Sequence, residues 1–299
     1  MKFNVARIVE GKNFDIVGMS YIGTPRSNTA MFIGKKVEWL LQSLEKVDKC
    51  LIFIERGIEV PGILAEKHAF YFSEKPQLAY ARFTAQFAEE RFAEERKLRY
   101  ILSAGGYYAS EDIEIPKDAY IEPGCVIGPD VQIGRGAKVL AGTIIRYSTI
   151  GDNFLANEYA VIGANGFTIA EDEEGNKLRI PTLGRVIIGN NVEVGAHDNI
   201  SCGSGGDTVI EDYVKLDALV HLGHDVHLHK NVEITAGGII GGFDNLGEGS
   251  YVGVNAVLRN RINVGKNAVI GMGATVTKSV DAGITVAGNP ARLFEKKQR

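Results

Sequence analysis

From Ile210 onward an aliphatic residue recurs every six positions: Ile210, Leu216, Leu222, Leu228, Ile234, Ile240, Leu246, Val252, Leu258, Val264, Ile270 and Val276. A small or β-branched residue commonly follows four places on, with glycine frequent between. A period of six is neither the 3.6 of an amphipathic helix nor the strict two of a half-buried strand. It fits a coil of short strands and turns, in which one side chain per hexapeptide points inward and three hexapeptides close a triangle of about 18 residues. An earlier run has the same period at Ile115, Ile121, Ile127, Ile133 and Val139, slips by one residue, and continues at Ile150, Ala156 and Ile162. It resumes at Ile188, Val194 and Ile200. The pattern predicts a parallel β-helix.

Two stretches break the phase: "GANGFTIAEDEEGNKLRIPTLGR" at 163–185, with a turn signal at Glu174-Gly175-Asn176, and "SCGSGGDT" at 201–208. Interruptions in a solenoid map to loops on one face, often the binding face. Residues 1–105 lack the period. There "FDIVGMSYI", "CLIFIE" and "AFYFSE" read as strands, Val37, Leu40, Leu41 and Leu44 fall at amphipathic-helix spacing, and a longer helix runs on from Pro76 with Phe83 and Phe87 on one face. Its many Glu and Arg residues read as a solvated face. The expected organisation is a smaller N-terminal α/β domain over 1–105, a β-helix over 106–288 carrying the insertion 163–185, and a C-terminal tail over 289–299.

The repeat accounts for the 36 glycines. A net charge of −4 argues against a nucleic-acid partner, which would call for a clustered basic excess. There is no apolar leader and no run of about 18 uncharged residues, so a cytoplasmic protein without an integral membrane segment is expected. Three widely spaced cysteines, Cys50, Cys125 and Cys202, read as buried free thiols.

The chemistry concentrates in "HLGHDVHLH", residues 221–229, which holds four of the six histidines. With Leu222 and Leu228 as inward anchors, strand alternation turns His221, His227 and His229 outward. For His227 and His229 an ordinary polar surface position is sufficient explanation; for His221 surface and function are evenly balanced. His224 lies two places past an anchor, and Gly242 follows it by one coil length, which would stack the two.

The segments "GANGF", "IPTLGRVIIGNNVEVGA", "GDTVIEDYVKLDALVHLGHDV" and "KPQLAYAR" resemble the bacterial UDP-3-O-(3-hydroxyacyl)glucosamine N-acyltransferase family of lipid A synthesis, over the chain up to about residue 275. The resemblance implies a left-handed coil and a homotrimer with active sites between neighbouring helices. It implies acyl transfer from a thioester to the amine of a nucleotide-linked sugar, with no cofactor. His224 matches the catalytic histidine of the family's "IAHN"-type segment, here "LGHD", and so is expected to be the general base. Gly242 matches the glycine whose N–H faces the oxyanion. An imidazole, with an unperturbed pKa of about 6.5, can accept a proton near neutrality.

Three departures bear on substrate. The family's F-x-x-N-P-K-Y uridine segment corresponds to "MFIGKKV", in which Met31, Gly34 and Val37 replace the contacting residues and Lys36 survives. Phe32 or Trp39 could supply a stacking face instead, though each suits a core position, so the nucleotide is UDP or dTDP. Arg261 stands where the family tends to carry a second histidine; it could hold a phosphate or carboxylate but not act as a base. The ending "VAGNPARLFEKK" resembles CoA-dependent sugar acetyltransferases, which would set Asn289, Pro290 and Arg292 beside the donor and favours acyl-CoA.

The leading expectation is therefore an N-acyltransferase moving an acyl group from acyl-CoA to a nucleotide-linked amino sugar. The alternative is the lipid A enzyme itself, with acyl carrier protein as donor. A zinc-dependent β-helix hydratase of the γ-carbonic-anhydrase kind would use His224 and His229, five apart. It needs a third ligand about 36 residues earlier, where position 188 is Ile and His197 is out of phase, so no metal is expected. Against a non-catalytic scaffold stand the long insertion and the His224/Gly242 stack.

Overall fold

The computed structural model describes residues 2–290, 292 and 293. The chain forms two compact units: 1–94 with 167–184 and 204–206, and 95–166 with 185–203 and 207–299.

In the second unit every expected anchor from Ile210 to Val276 is buried, none more than 3% exposed. Successive coils pair in parallel register eighteen residues apart, as in Leu228 with Leu246 and Ile240 with Leu258. The single-residue slip is visible: Ile127 pairs with Ile145 across eighteen residues, whereas Ile133 pairs with Ile150 and Val139 with Ala156 across seventeen. Three sheets of ten, seven and ten strands form the sides of the triangle, and one continuous aliphatic column fills it. At the corners, residues such as Asp225, Phe243 and Arg261 adopt left-handed backbone, the conformation that turns the chain from one side to the next. This column of non-glycine residues is a corner position repeated coil after coil.

The first unit is a four-stranded parallel sheet, Gly18–Met19, Thr29–Ile33, Leu51–Glu55 and Ala69–Ser73. Strand alternation sends Leu51 and Phe53 to one core and Ile52 and Ile54 to the other, so both faces are covered, as parallel sheets require. The helix Pro76–Glu95 packs Tyr80, Phe83 and Phe87 on the first face; Leu40, Leu41 and Leu44 of the 3₁₀ segment Lys35–Lys46 pack on the second.

The structure draws the boundary between Glu94 and Glu95, not at 105. Residues 95–105 go with the β-helix because Tyr100–Leu102 pairs antiparallel with Tyr108–Ser110. The insertion divides likewise. Its hairpin, Thr168–Glu171 with Lys177–Ile180, belongs to the first unit, since Ala170 and Ile180 enter that core. The acidic tip is internally engaged: Asp172 Oδ1 accepts the Glu174 and Asn176 N–H groups, Glu171 pairs with Lys177, and Arg82 grips Glu173 with two bonds of 3.0 and 2.6 Å. All three cysteines are buried free thiols. Among the described residues no helix is long and apolar enough to cross a membrane. Of the expected tail, residues 291 and 294–299 lie outside the described residues; Arg292–Leu293 pairs antiparallel with Thr285–Ala287.

Candidate active site

His224 sits at the corner between the strands His221–Leu222 and His227–Leu228. Gly242 occupies the same corner one coil on, and the two meet directly: a Cβ placed on Gly242 would lie 2.8 Å from His224 Nε2 and 2.9 Å from Cε1. Glycine is thus the residue that lets the imidazole lie flat over the next coil's backbone. Backbone bonds hold the corner in register, Phe243 N–H donating to the His224 carbonyl at 2.9 Å and Arg261 N–H to the Gly242 carbonyl at 3.1 Å.

The ring is oriented from its far side. His224 Nδ1 lies 2.8 Å from Asp225 Oδ2, with the two side chains 14% and 5% exposed. Asp225 in turn receives a backbone anchor, its N–H donating to Thr208 Oγ1 at 3.0 Å. A carboxylate at Nδ1 selects the tautomer that donates there and leaves the Nε2 lone pair over Gly242. Phe243 meets the ring edge-on at 5.0 Å between centroids, and the Arg261 guanidinium stacks over the other part of that column, 4.6 Å from the Phe243 ring centroid. Arg261 therefore brings a positive charge to the coil above His224. His221, half-buried on the preceding strand, has its pKa lowered by burial and by the neighbouring His224, which favours its neutral form.

Of the residues singled out from the sequence, His224, Gly242 and Arg261 thus share one corner. Asp225 was not singled out; its signal was a carboxylate immediately after the histidine, where the family's segment has Asn. Asn289 and Pro290 are exposed residues following the strand Thr285–Ala287. Lys36 and Phe32 belong to the first unit. Lys36 is exposed, whereas Phe32 packs against Tyr80 at 5.1 Å between ring centroids. Trp39, which suited a core position, is instead 65% exposed, because it lies on the face of the 3₁₀ segment opposite Leu40, Leu41 and Leu44.

His227 and His229 do face outward, about one-third exposed, but they are not independent. Both meet Glu211 of the preceding coil, His227 Nε2 at 2.8 Å and His229 Nδ1 at 3.0 Å from the same carboxylate oxygen. Burial works to raise the Glu211 pKa, yet the bonds from His227 and the Lys230 N–H bring it below its ordinary value.

Residues 112–146 match the bacterial transferase hexapeptide (six repeats) family. The UDP-3-O-acylglucosamine N-acyltransferase of Caulobacter sp. (strain K31) is 37% identical over 153 residues, 51% of this chain and 45% of that protein. UDP-3-O-acylglucosamine N-acyltransferase 2 of Legionella pneumophila (strain Paris) is 49% identical over 92 residues, 31% of this chain and 26% of that protein. Over those segments the chain is similar in sequence to these N-acyltransferases. It spans less than half the length of each. Among solved structures, UDP-N-acetylglucosamine acyltransferase from Campylobacter jejuni superposes with a TM-score of 0.57 at 23% identity, over 63% of this chain and 72% of that one. LpxA from Acinetobacter baumannii gives 0.53 at 23% identity, over 62% and 73%. At those identities the shared property is the fold, the left-handed parallel β-helix.

Proposed function

We propose that the chain N-acylates a UDP-linked, 3-O-acylated glucosamine, taking the acyl group from the thioester of an acyl carrier protein. The observation that carries the reading is the placement of His224 Nε2 over Gly242, with Asp225 behind the ring. Nε2 takes a proton from the sugar amine as its nitrogen attacks the thioester carbonyl. The carbonyl oxygen of the tetrahedral adduct, now negative, is met by the Gly242 N–H. Collapse of the adduct expels the thiolate, which recovers the proton from His224. A positioned base contributes about 10²–10⁴ in rate and an oxyanion donor about 10²–10³. No acyl-enzyme is needed.

The names carried by the relatives favour a UDP-linked acylglucosamine acceptor over a dTDP sugar. With that acceptor the lipid A reading, and its carrier-protein donor, takes precedence over acyl-CoA. Arg261 is assigned to an anionic part of a substrate and Lys36 to the nucleotide. Trp39 replaces Phe32 as the stacking face, because its ring is open and that of Phe32 is packed. A cytoplasmic homotrimer is part of the same reading.

The test is thiol release from an acyl carrier protein thioester and from acyl-CoA, each with UDP-3-O-(3-hydroxyacyl)glucosamine and with a dTDP amino sugar. Turnover with the carrier protein and the UDP sugar, abolished in His224→Ala while light scattering still finds a trimer, supports the proposal. Turnover only with acyl-CoA and the dTDP sugar overturns the substrate assignment; undiminished activity in His224→Ala overturns the mechanism.

A further inference from the structure

We propose that Glu211, His227 and His229 form a binding site for a divalent transition-metal ion of the zinc type, with one coordination position left to solvent. The proposal is independent of the acyl-transfer reading. The three side chains come from adjacent coils: Val209 and Ile210 pair with His227 and Leu228, which brings Glu211 alongside His229. Their donor atoms lie within 4.8 Å of one another, and the two imidazoles stack with centroids 4.0 Å apart at 27°.

Two further bonds point the donors at a common centre. His229 Nε2 lies 3.1 Å from Asn245 Oδ1. A hydrogen on Nε2 donated to that oxygen leaves the Nδ1 lone pair directed at Glu211 and His227. Metal-binding imidazoles are ordinarily oriented by such a bond from their other nitrogen. Glu211 Oε2 accepts the Lys230 N–H at 3.0 Å, which leaves Oε1 as the donor on the histidine side. The Lys230 ammonium is drawn away over the Tyr213 ring, 5.4 Å from its centroid.

Two imidazoles and a carboxylate suit zinc and its neighbours, whereas magnesium and calcium prefer all-oxygen sites. Around a tetrahedral ion with bonds of about 2.0–2.1 Å, donors stand about 3.3 Å apart. Glu211 Oε1 is 2.8 and 3.0 Å from the two nitrogens, a few tenths of an ångström inside that spacing. The side chains are 34–38% exposed, and an ion has open access. Bound there, it would tie one coil to the next.

The test uses untagged protein stripped with EDTA and dialysed, titrated with Zn²⁺ by calorimetry and with Co²⁺ in the visible spectrum. The expected result is one ion per chain, with ligand-field bands between about 500 and 650 nm and no thiolate charge-transfer band. Zinc affinity should fall at least tenfold in His227→Ala, His229→Ala and Glu211→Gln, and stay unchanged in His197→Ala. Asn245→Ala, which keeps all three ligands, should weaken binding severalfold and covers the case in which a ligand variant fails to fold. Zinc should also raise the Tm of the wild-type protein and not of the variants. Failure of the wild-type protein to take up either ion overturns the proposal, as does uptake indifferent to these substitutions.

Discussion

Gly242→Ala separates chemistry from folding more sharply than loss of the histidine does. The added methyl would lie 2.8, 2.9 and 3.1 Å from Nε2, Cε1 and Cδ2 of His224, where ordinary contact begins near 3.4 Å. The imidazole must therefore retreat by about 0.6 Å or more. It cannot do so freely, because Asp225 holds Nδ1 at 2.8 Å and Phe243 closes its edge. Misplacing a reacting group by about 1 Å costs on the order of 10²-fold in rate, and disturbing an oxyanion donor costs a similar factor. We expect kcat/KM for thiol release to fall about 10²-fold, roughly 2.7 kcal/mol of transition-state stabilisation. Because Gly242 does not have left-handed backbone, alanine adds no backbone strain, and Tm should move by no more than a few degrees. Activity within threefold of wild type would refute the stacking argument. So would an activity loss accompanied by a collapse in Tm, since the glycine would then be serving the fold.

Asp225→Ala should lower kcat about 10²-fold with KM little changed, and Asp225→Asn should recover much of it; a change confined to KM would remove Asp225 from its positioning role. UDP should quench the fluorescence of Trp39, the chain's one tryptophan, and Lys36→Ala should weaken that titration; an unaltered emission spectrum would count against Trp39 as the stacking face. Asp198 and Asp244 are buried and their pKa values are pushed up to about 7 by desolvation, against two backbone N–H bonds at Asp198 and three at Asp244. Their folded values exceed the ordinary 3.8, so the stability they contribute is fully present below about pH 4 and is lost as pH rises toward 7. Tm should therefore fall by several degrees between pH 5 and pH 8, and the Asp198→Asn, Asp244→Asn double variant should flatten that slope; a Tm that rises with pH would contradict it.

Much of the β-helix was legible because its signal is one-dimensional: an inward anchor every sixth residue needs no knowledge of distant partners. The slip before Ile150 could be read for the same reason. His224 over Gly242 follows from adding one coil length, and Glu211 beside His229 obeys the same eighteen-residue step. That second pair went unread because a surface histidine carries no hydrophobic mark to prompt the arithmetic. The first unit was harder. Thr29–Ile33 is a central strand buried on both faces, so it shows no alternation, and its neighbourhood drew attention as a nucleotide segment instead. Trp39 illustrates the opposite failure, since a large aromatic ring favours burial on average while the actual face of a short 3₁₀ segment is decided by Leu40, Leu41 and Leu44. The allegiance of the hairpin 168–180 depended on where Ala170 and Ile180 find a core, which no local pattern encodes.

The broken phase of the repeat has a consequence for how such a chain can be altered. Ile162 and the next anchor, Ile188, are 26 residues apart instead of six, and Ile200 and Ile210 are ten apart, yet the strands on either side keep their parallel stacking, with a local register shift between Ile162 and Ala164 where the first insertion leaves the coil. A corner therefore behaves as a splice port. Whatever is inserted need only return its ends to within one strand spacing, about 4.8 Å, and the column beneath does not register the passenger. The hairpin 168–180 is one such passenger. Foreign hairpins or reporter peptides exchanged at the same port should leave the anchors in register, provided that they restore the apolar positions that Ala170 and Ile180 fill in the first unit's core.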